Sequence, residues 1–238
     1  MTTPPRRTLK GLVNTDPHVV RWLKSFAEFG ARVFISVGLT ATALTALAFV
    51  LGLAGAVLVA MGLFGWAFVL LLVSVIFDAV DGSVARTQGV SSQTGAFLDS
   101  TLDRYVDIAI FLGISWYFFE AGDKTLAFVT FAGLIGAVVT SYSTARASSL
   151  GVSQYVGPFG RLHRALTVLA GVGLPFLLPA AVWVLAIFGN LTAVNRLITY
   201  TKILRQRDAD AQTTTAGPAG DGEPADLEAT AEIELRES

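Results

Sequence analysis

Cysteine is absent from all 238 residues, which excludes disulfides, thiolate metal sites and thiol nucleophiles. Histidine is scarce: His18 and His163 are the only two, so a metal would have to be held by carboxylates or by one of these imidazoles. Charge is scarce as well. Asp, Glu, Lys and Arg make up 15% of the chain, against roughly 25% in soluble domains. The alternating polarity of an outer-membrane barrel strand is missing. The opening segment lacks a compact apolar core followed by a small-residue cleavage site, so no cleavable signal peptide is expected. The basic residues are not interleaved with exposed aromatics on a soluble face, and no nucleic-acid partner is expected.

Long apolar runs account for the missing charge. Hydrophobic residues make up 53% of the chain, and several runs approach the roughly 20 residues that cross a hydrocarbon core of about 30 Å. The pattern predicts an all-α polytopic membrane protein with six transmembrane helices, near 40–60, 63–86, 94–119, 124–146, 160–178 and 180–204. Gly122-Asp123 and Leu178-Pro179 punctuate two of the turns. With the N-terminus in the cytoplasm, only Lys124 of the 17 Lys and Arg residues falls on the outer side. That asymmetry predicts cytoplasmic N- and C-termini in the cell membrane.

The flanks differ from the spans. Residues 1–16 are polar and predicted to be disordered. Residues 17–33 place Val20, Leu23, Phe26 and Ala27 at helical spacing, with Arg21, Lys24 and Glu28 elsewhere on the wheel. This segment reads as an amphipathic helix lying on anionic membrane lipid. Residues 34–205 form the expected catalytic domain. Residues 206–238, rich in Ala, Thr, Gly, Pro and acid, cannot bury enough apolar surface to offset ordering entropy and read as a disordered tail. No internal repeat supports a transporter built from inverted repeats.

Ionisable residues inside spans are costly and are functional candidates by default. Asp78 and Asp81, three apart, end the second span; Asp99, Asp103 and Asp107, four apart, begin the third. Each set lies on one face of its helix. The short turn between the spans makes the two helices antiparallel neighbours with their acidic faces at one depth. Carboxylates so crowded repel strongly, and either protonation or cations must relieve them. Oxygen-only ligands suit Mg²⁺, Mn²⁺ or Ca²⁺. Gly82 permits close approach of a ligand to the backbone, and Arg86 supplies a guanidinium matched to phosphate oxygens. Gly95 lies one turn before Asp99. The alternative is a set of helix-packing or proton-path residues in a cation transporter or a non-catalytic membrane protein.

These residues resemble the signature of the CDP-alcohol phosphotransferase family, D-x2-D-G-x2-A-R-x8-G-x3-D-x3-D. Asp78, Asp81, Gly82, Ala85, Arg86, Gly95, Asp99 and Asp103 fill all eight specified positions. The resemblance extends over about residues 20–205, and Gly38-Leu39-Thr40 also resembles the family's approach to the first span, with Ala41 where Pro is frequent. It implies six transmembrane helices behind an interfacial helix, in a homodimer. It also implies two divalent ions, Mg²⁺ or Mn²⁺, on Asp78, Asp81, Asp99 and Asp103. Asp103 would act further as general base on the acceptor hydroxyl. Asp78, Gly82, Ala85, Arg86 and Gly95 would line the cytidine diphosphate pocket, at the cytoplasmic face.

Arg146, Arg161, Arg164 and Arg196 also fall near that face. Three roles compete for them: snorkelling to headgroups, pairing with the aspartates, and binding a phosphate on the acceptor. The pattern resembles the branch of the family that makes phosphatidylinositol phosphate from CDP-diacylglycerol and inositol phosphate. Ser141, Tyr142, Ala145, Arg146 and Ala147 match its fourth helix, with Thr144 where Lys is expected. Arg161 and Arg164 match its fifth, with Leu162 and His163 in place of Pro and Glu. The expected acceptor is therefore a small phosphorylated polyol, inositol phosphate or glycerol 3-phosphate. A neutral or zwitterionic acceptor such as inositol or serine, or another CDP-alcohol donor, is the alternative. His163 reads as a helix-start residue facing headgroups.

Overall fold

The computed structural model describes residues 34, 40–87, 92–153, 155, 157 and 159–215. The predicted disordered start, the predicted interfacial helix at 17–33 and the tail from 216 lie outside the described residues. Within them the chain is helical and contains no strand: α1 Ala41–Ala60, α2 Phe64–Thr87, α3 Gln93–Glu120, α4 Lys124–Ser149, α5 Arg161–Gly173, a 3₁₀ turn Pro175–Leu177, and α6 Leu178–Thr215. Four stretches are long and apolar enough to cross a membrane: Ala41–Ala60, Phe64–Asp81, Lys124–Ser149 and Pro175–Gln212. The other two helices differ for separate reasons. α3 has 28 residues, but its first half is interrupted by Asp99, Asp103, Arg104 and Asp107. α5 has 13 residues, a rise of about 20 Å.

Local sequence sets the helix ends. Thr40, Ser92 and Asp123 accept hydrogen bonds from the backbone N–H three residues on, capping α1, α3 and α4. Gly62 and Gly122, with φ of 73° and 81°, end α1 and α3. There Leu63 N–H bonds to Leu58 C=O and Asp123 N–H to Phe118 C=O, the closing bonds of a Schellman motif. The break near Leu178-Pro179 comes slightly earlier than the sequence predicts. Pro175 opens the 3₁₀ turn and Pro179 sits in the first turn of α6, where proline's missing N–H leaves no intrahelical bond unmade. α6 then continues to Thr215, beyond the predicted end near 204.

Chain packing divides after Ile198, and Thr199–Ser238 forms a separate unit. In the first unit, α1 packs on α2 and α3, α3 on α4, and α2 on α5. The core gathers Val59, Leu71, Phe111, Ile114, Phe118, Val172, Leu178 and Leu185. Small residues allow the closest approaches. A Cβ at Gly113 would stand 2.4 Å from the Ala56 carbonyl oxygen, and one at Gly136 2.7 Å from the Asn190 amide. Asn190 reinforces the second contact by donating to the Ala132 and Ala186 carbonyls at 2.8 and 2.7 Å.

The outside of the helices is apolar too. Trp66, Phe128 and Phe176 are more than two-thirds exposed, a liability in water that a lipid environment removes. Trp66, Trp116 and Trp183 lie within a turn or two of the Gly62, Gly122 and Pro175 turns, at the end of the helices away from the aspartates. Such a belt marks a membrane interface.

Candidate metal and phosphate site

The last turns of α2 and the first half of α3 deliver the carboxylates. Ser92 fixes the start of α3 by accepting the Gly95 N–H at 3.0 Å, which sets the phase at which Asp99 and Asp103 emerge one turn apart. Asp78, Asp99 and Asp103 each bring one carboxylate oxygen to within 4.8 Å of the others. Three carboxylates at this spacing attract a cation strongly.

Two guanidiniums answer them. Arg161, the first residue of α5, places Nη2 2.7 Å from Asp78 Oδ1 and 2.6 Å from Asp103 Oδ1. Arg104 Nη1 lies 3.3 Å from Asp103 Oδ2 and also donates to the Ser100 carbonyl. One turn along α5, Arg164 Nη2 lies 3.2 Å from Asp107 Oδ2. A cavity of about 350 Å³ joins these groups; Asp78, Asp99, Asp103, Asp107, Arg161 and Arg164 all line it. Its remaining wall is mostly apolar, including Phe49, Leu71, Val75, Val106, Ile110 and Phe111. It therefore offers charged groups at one side and a hydrocarbon surface at the other, a shape suited to an amphiphile with an anionic head.

Other predicted site residues stand apart. Asp81 is buried, and its Oδ2 accepts a 2.7 Å hydrogen bond from Thr45 on α1. Gly82, Ala85 and Arg86 fall in the last turns of α2, but the surroundings of their side chains lie outside the described residues. Gly95 occupies the first turn of α3 and does not line the cavity. Arg146 bonds to Ser149 at the end of α4. Arg196 reaches from α6 to the Thr144 hydroxyl and to the Thr140 carbonyl at 3.3 Å. Of the four arginines predicted to bind an acceptor phosphate, Arg161 and Arg164 thus share the cavity with the aspartates, and Arg146 and Arg196 do not line it. His163 is exposed and lies against Phe159, ring centroids 5.9 Å apart.

Thr45 and Arg104 belong to the site although the sequence reading does not single them out. Thr45 carries no local signal, being one hydroxyl on an apolar helix 36 residues from its partner. Arg104 has one: it directly follows Asp103.

The donor set fits a divalent cation. All three converging ligands are carboxylates, the hard oxygen donors that Mg²⁺ and Mn²⁺ prefer, and the space between Asp78 and Asp103 already receives a positive group, Arg161 Nη2.

Comparison with known proteins gives a consistent picture. The CDP-alcohol phosphatidyltransferase family model matches residues 38–199. The phosphatidylinositol phosphate synthase of Mycobacterium marinum is 38% identical over 180 residues, covering 71% of this chain and 76% of the relative. That of Streptomyces avermitilis is 35% identical over 168 residues, covering 65% and 67%. A crystal structure of Mycobacterium tuberculosis phosphatidylinositol phosphate synthase with CDP-DAG bound aligns with a TM-score of 0.67 at 34% identity, covering 73% of this chain and 92% of that one. Another, in complex with manganese and citrate, aligns with the same TM-score and identity over 73% and 88%.

Proposed function

The chain belongs to the CDP-alcohol phosphatidyltransferase family, a multi-pass membrane enzyme family. On that footing we propose that it transfers a phosphatidyl group from CDP-diacylglycerol to the hydroxyl of a phosphorylated polyol, releasing CMP. The observation that carries this reading is the convergence of Asp78, Asp99 and Asp103 beside Arg161 and Arg164 in one cavity. Inositol phosphate is the favoured acceptor, because the relatives similar to this chain are phosphatidylinositol phosphate synthases. Glycerol 3-phosphate is the second reading. It is favoured by Thr144, which stands where that branch has Lys and is bonded to Arg196.

Each residue has a task in this reading. Asp78, Asp99 and Asp103 hold divalent metal, and Asp81, oriented by Thr45, completes a two-ion set. Bound there, Mg²⁺ or Mn²⁺ would neutralise the diphosphate and stabilise CMP as leaving group. Asp103 takes the proton of the acceptor hydroxyl as its oxygen attacks the β-phosphorus. A new P–O bond forms to the acceptor, and the bond to the oxygen bridging the two phosphorus atoms breaks, leaving with CMP. Gly82, Ala85, Arg86 and Gly95 bind the cytidine diphosphate. Arg161 and Arg164 hold the acceptor phosphate, with Arg146 and Arg196 at its approach. The apolar wall of Leu71, Val106 and Phe111 excludes water, which would otherwise compete as acceptor.

The same proposal takes α3 and α5 as membrane spans beside the other four. The site then lies at the cytoplasmic face with both termini, and the chains pair as a homodimer. Membranes containing the protein test the reaction directly. CMP release from CDP-diacylglycerol that requires Mg²⁺ or Mn²⁺ and one of inositol phosphate or glycerol 3-phosphate is the expected result. Equal release with inositol or serine would overturn the phosphorylated-acceptor reading. Absence of release with every acceptor, from folded protein, would overturn the donor assignment.

A further inference from the structure

Asp107 stands outside the family signature yet continues its pattern. It lies four residues after Asp103, on the same face of α3, and lines the same cavity. It does not join the converging oxygens of Asp78, Asp99 and Asp103. Instead its Oδ2 faces α5 and meets Arg164 Nη2 at 3.2 Å. The two ends of this pair are unequal. The Arg164 side chain is 8% exposed and that of Asp107 34%, so the guanidinium is the committed member and the carboxylate its link to the open cavity.

Arg164 also has donor capacity to spare. Its Nε is buried and has no hydrogen-bond partner. A buried guanidinium stays charged, and an unmet buried donor is costly unless something else meets it. Arg161, one turn earlier on α5, shows how a guanidinium behaves here without a carboxylate of its own: it bridges Asp78 and Asp103. Asp107 supplies Arg164 with a separate anchor and so keeps it apart from those oxygens.

We infer that Asp107 is a positioning residue for the acceptor phosphate: it holds Arg164 in the cavity wall with a donor left for a phosphate oxygen. This rests on the reading of Arg164 as an acceptor-phosphate residue. Asp107 is assigned no metal, no proton and no contact with the reacting atoms.

The test uses full-length protein in liposomes, with CDP-diacylglycerol, Mn²⁺ and whichever phosphorylated polyol the unaltered protein uses. Asp107→Asn should raise the acceptor KM at least about tenfold while kcat stays within about threefold. The KM for CDP-diacylglycerol and the Mn²⁺ concentration for half-activity should not move, which also shows that the variant is folded. Asp107→Glu should recover part of the acceptor affinity. The double variant Asp107→Asn with Arg164→Gln should be no worse than Arg164→Gln alone, because one residue acts through the other. A shift in Mn²⁺ requirement or kcat, with acceptor KM unmoved, would overturn the inference and make Asp107 part of the metal centre. Additive losses in the double variant would overturn it as well. If Arg164→Gln leaves the acceptor KM unchanged, the acceptor-phosphate reading falls and takes this inference with it. If Arg164→Gln raises that KM and Asp107→Asn does not, the positioning role alone falls.

Discussion

The two halves of α3 obey different rules. From Phe111 onward the helix is packed: Phe111, Gly113, Ile114, Ser115 and Phe118 are buried, and Gly113 lets α1 approach closely enough that a single added carbon would strike the Ala56 carbonyl. Before Phe111 the same helix contributes no fully buried residue, and only Ile110 packs partly against the core. It carries Asp99, Asp103 and Asp107 toward Asp78, Arg161 and Arg164 instead. One half anchors the helix through dispersion and shape, and the other presents charge in a cavity. A helix locked at one end places carboxylates at the other without needing them to contribute to stability. Like charges held close destabilise a fold, so this division lets the site accept that cost locally.

The comparison predicts opposite outcomes for substitutions in the two halves. Asp103→Asn is nearly isosteric, removes the proposed metal ligand and base, and relieves repulsion among the carboxylates while giving up the pairs with Arg161 and Arg104. It should lower CMP release by about 10³-fold or more while leaving the thermal unfolding midpoint in detergent unchanged or raised. Gly113→Ala should do the reverse. Its Cβ would sit 2.4 Å from a backbone oxygen that cannot rotate away, and overpacking of this kind costs about 3 kcal/mol. The unfolding midpoint should drop, and kcat per folded molecule should be nearly unchanged. Loss of stability in Asp103→Asn equal to that in Gly113→Ala would mean that the acidic half is structural too.

The sequence makes the acidic face legible and leaves its partners obscure, for a physical reason. Asp78, Asp99 and Asp103 announce themselves because helical periodicity and a short turn suffice to place them, and both are local. The end of α3 is legible for the same reason, in Gly122-Asp123. Arg161 and Arg164 are recognisable as unusual, but snorkelling, pairing with aspartates and binding phosphate remain competing readings until α5 is packed on α2 and its arginines meet the aspartates. The bond from Thr45 to Asp81 has no local trace. α5 shows the limit in another way. The run predicted as one span near 160–178 holds a 13-residue helix followed by a proline-led 3₁₀ turn, because an apolar run does not reveal where a helix stops inside it.

Arg161 sharpens the comparison within the charged half. Its Nη2 contacts Asp78 and Asp103 at once, two of the carboxylates proposed to bind metal, so guanidinium and ion compete for them. The same residue is proposed to hold the acceptor phosphate. Arg161→Gln should therefore move two constants in opposite directions. Mn²⁺ for half-activity should fall several-fold because a competing cation is gone, and the acceptor KM should rise about 30-fold because a charged hydrogen bond is lost. Both can be read from one matrix of initial rates. A rise in the Mn²⁺ requirement would show that Arg161 supports the metal site rather than competing for it.

Thr45 tests whether the packed half and the charged half are joined by more than helix rigidity. It sits on α1, which packs against both α2 and α3, and its hydroxyl has a single proton with two acceptors in reach. The Ala41 carbonyl is 3.1 Å away and Asp81 Oδ2 2.7 Å away. The contact to Asp81 is the shorter and so the stronger, so the proton belongs to Asp81 and the hydroxyl orients that carboxyl group. Partners that orient a ligand in this way govern metal affinity through the ligand. Thr45→Val keeps the shape of the side chain and removes the donor. It should raise the Mn²⁺ concentration for half-activity by about three- to tenfold, with little change in acceptor KM, and Thr45→Ser should restore it. The fourth-ligand role of Asp81 stands or falls here: a Thr45→Val enzyme with an unchanged metal requirement would mean that Asp81, buried and oriented by its neighbour, serves the packing of α1 on α2 rather than the ion.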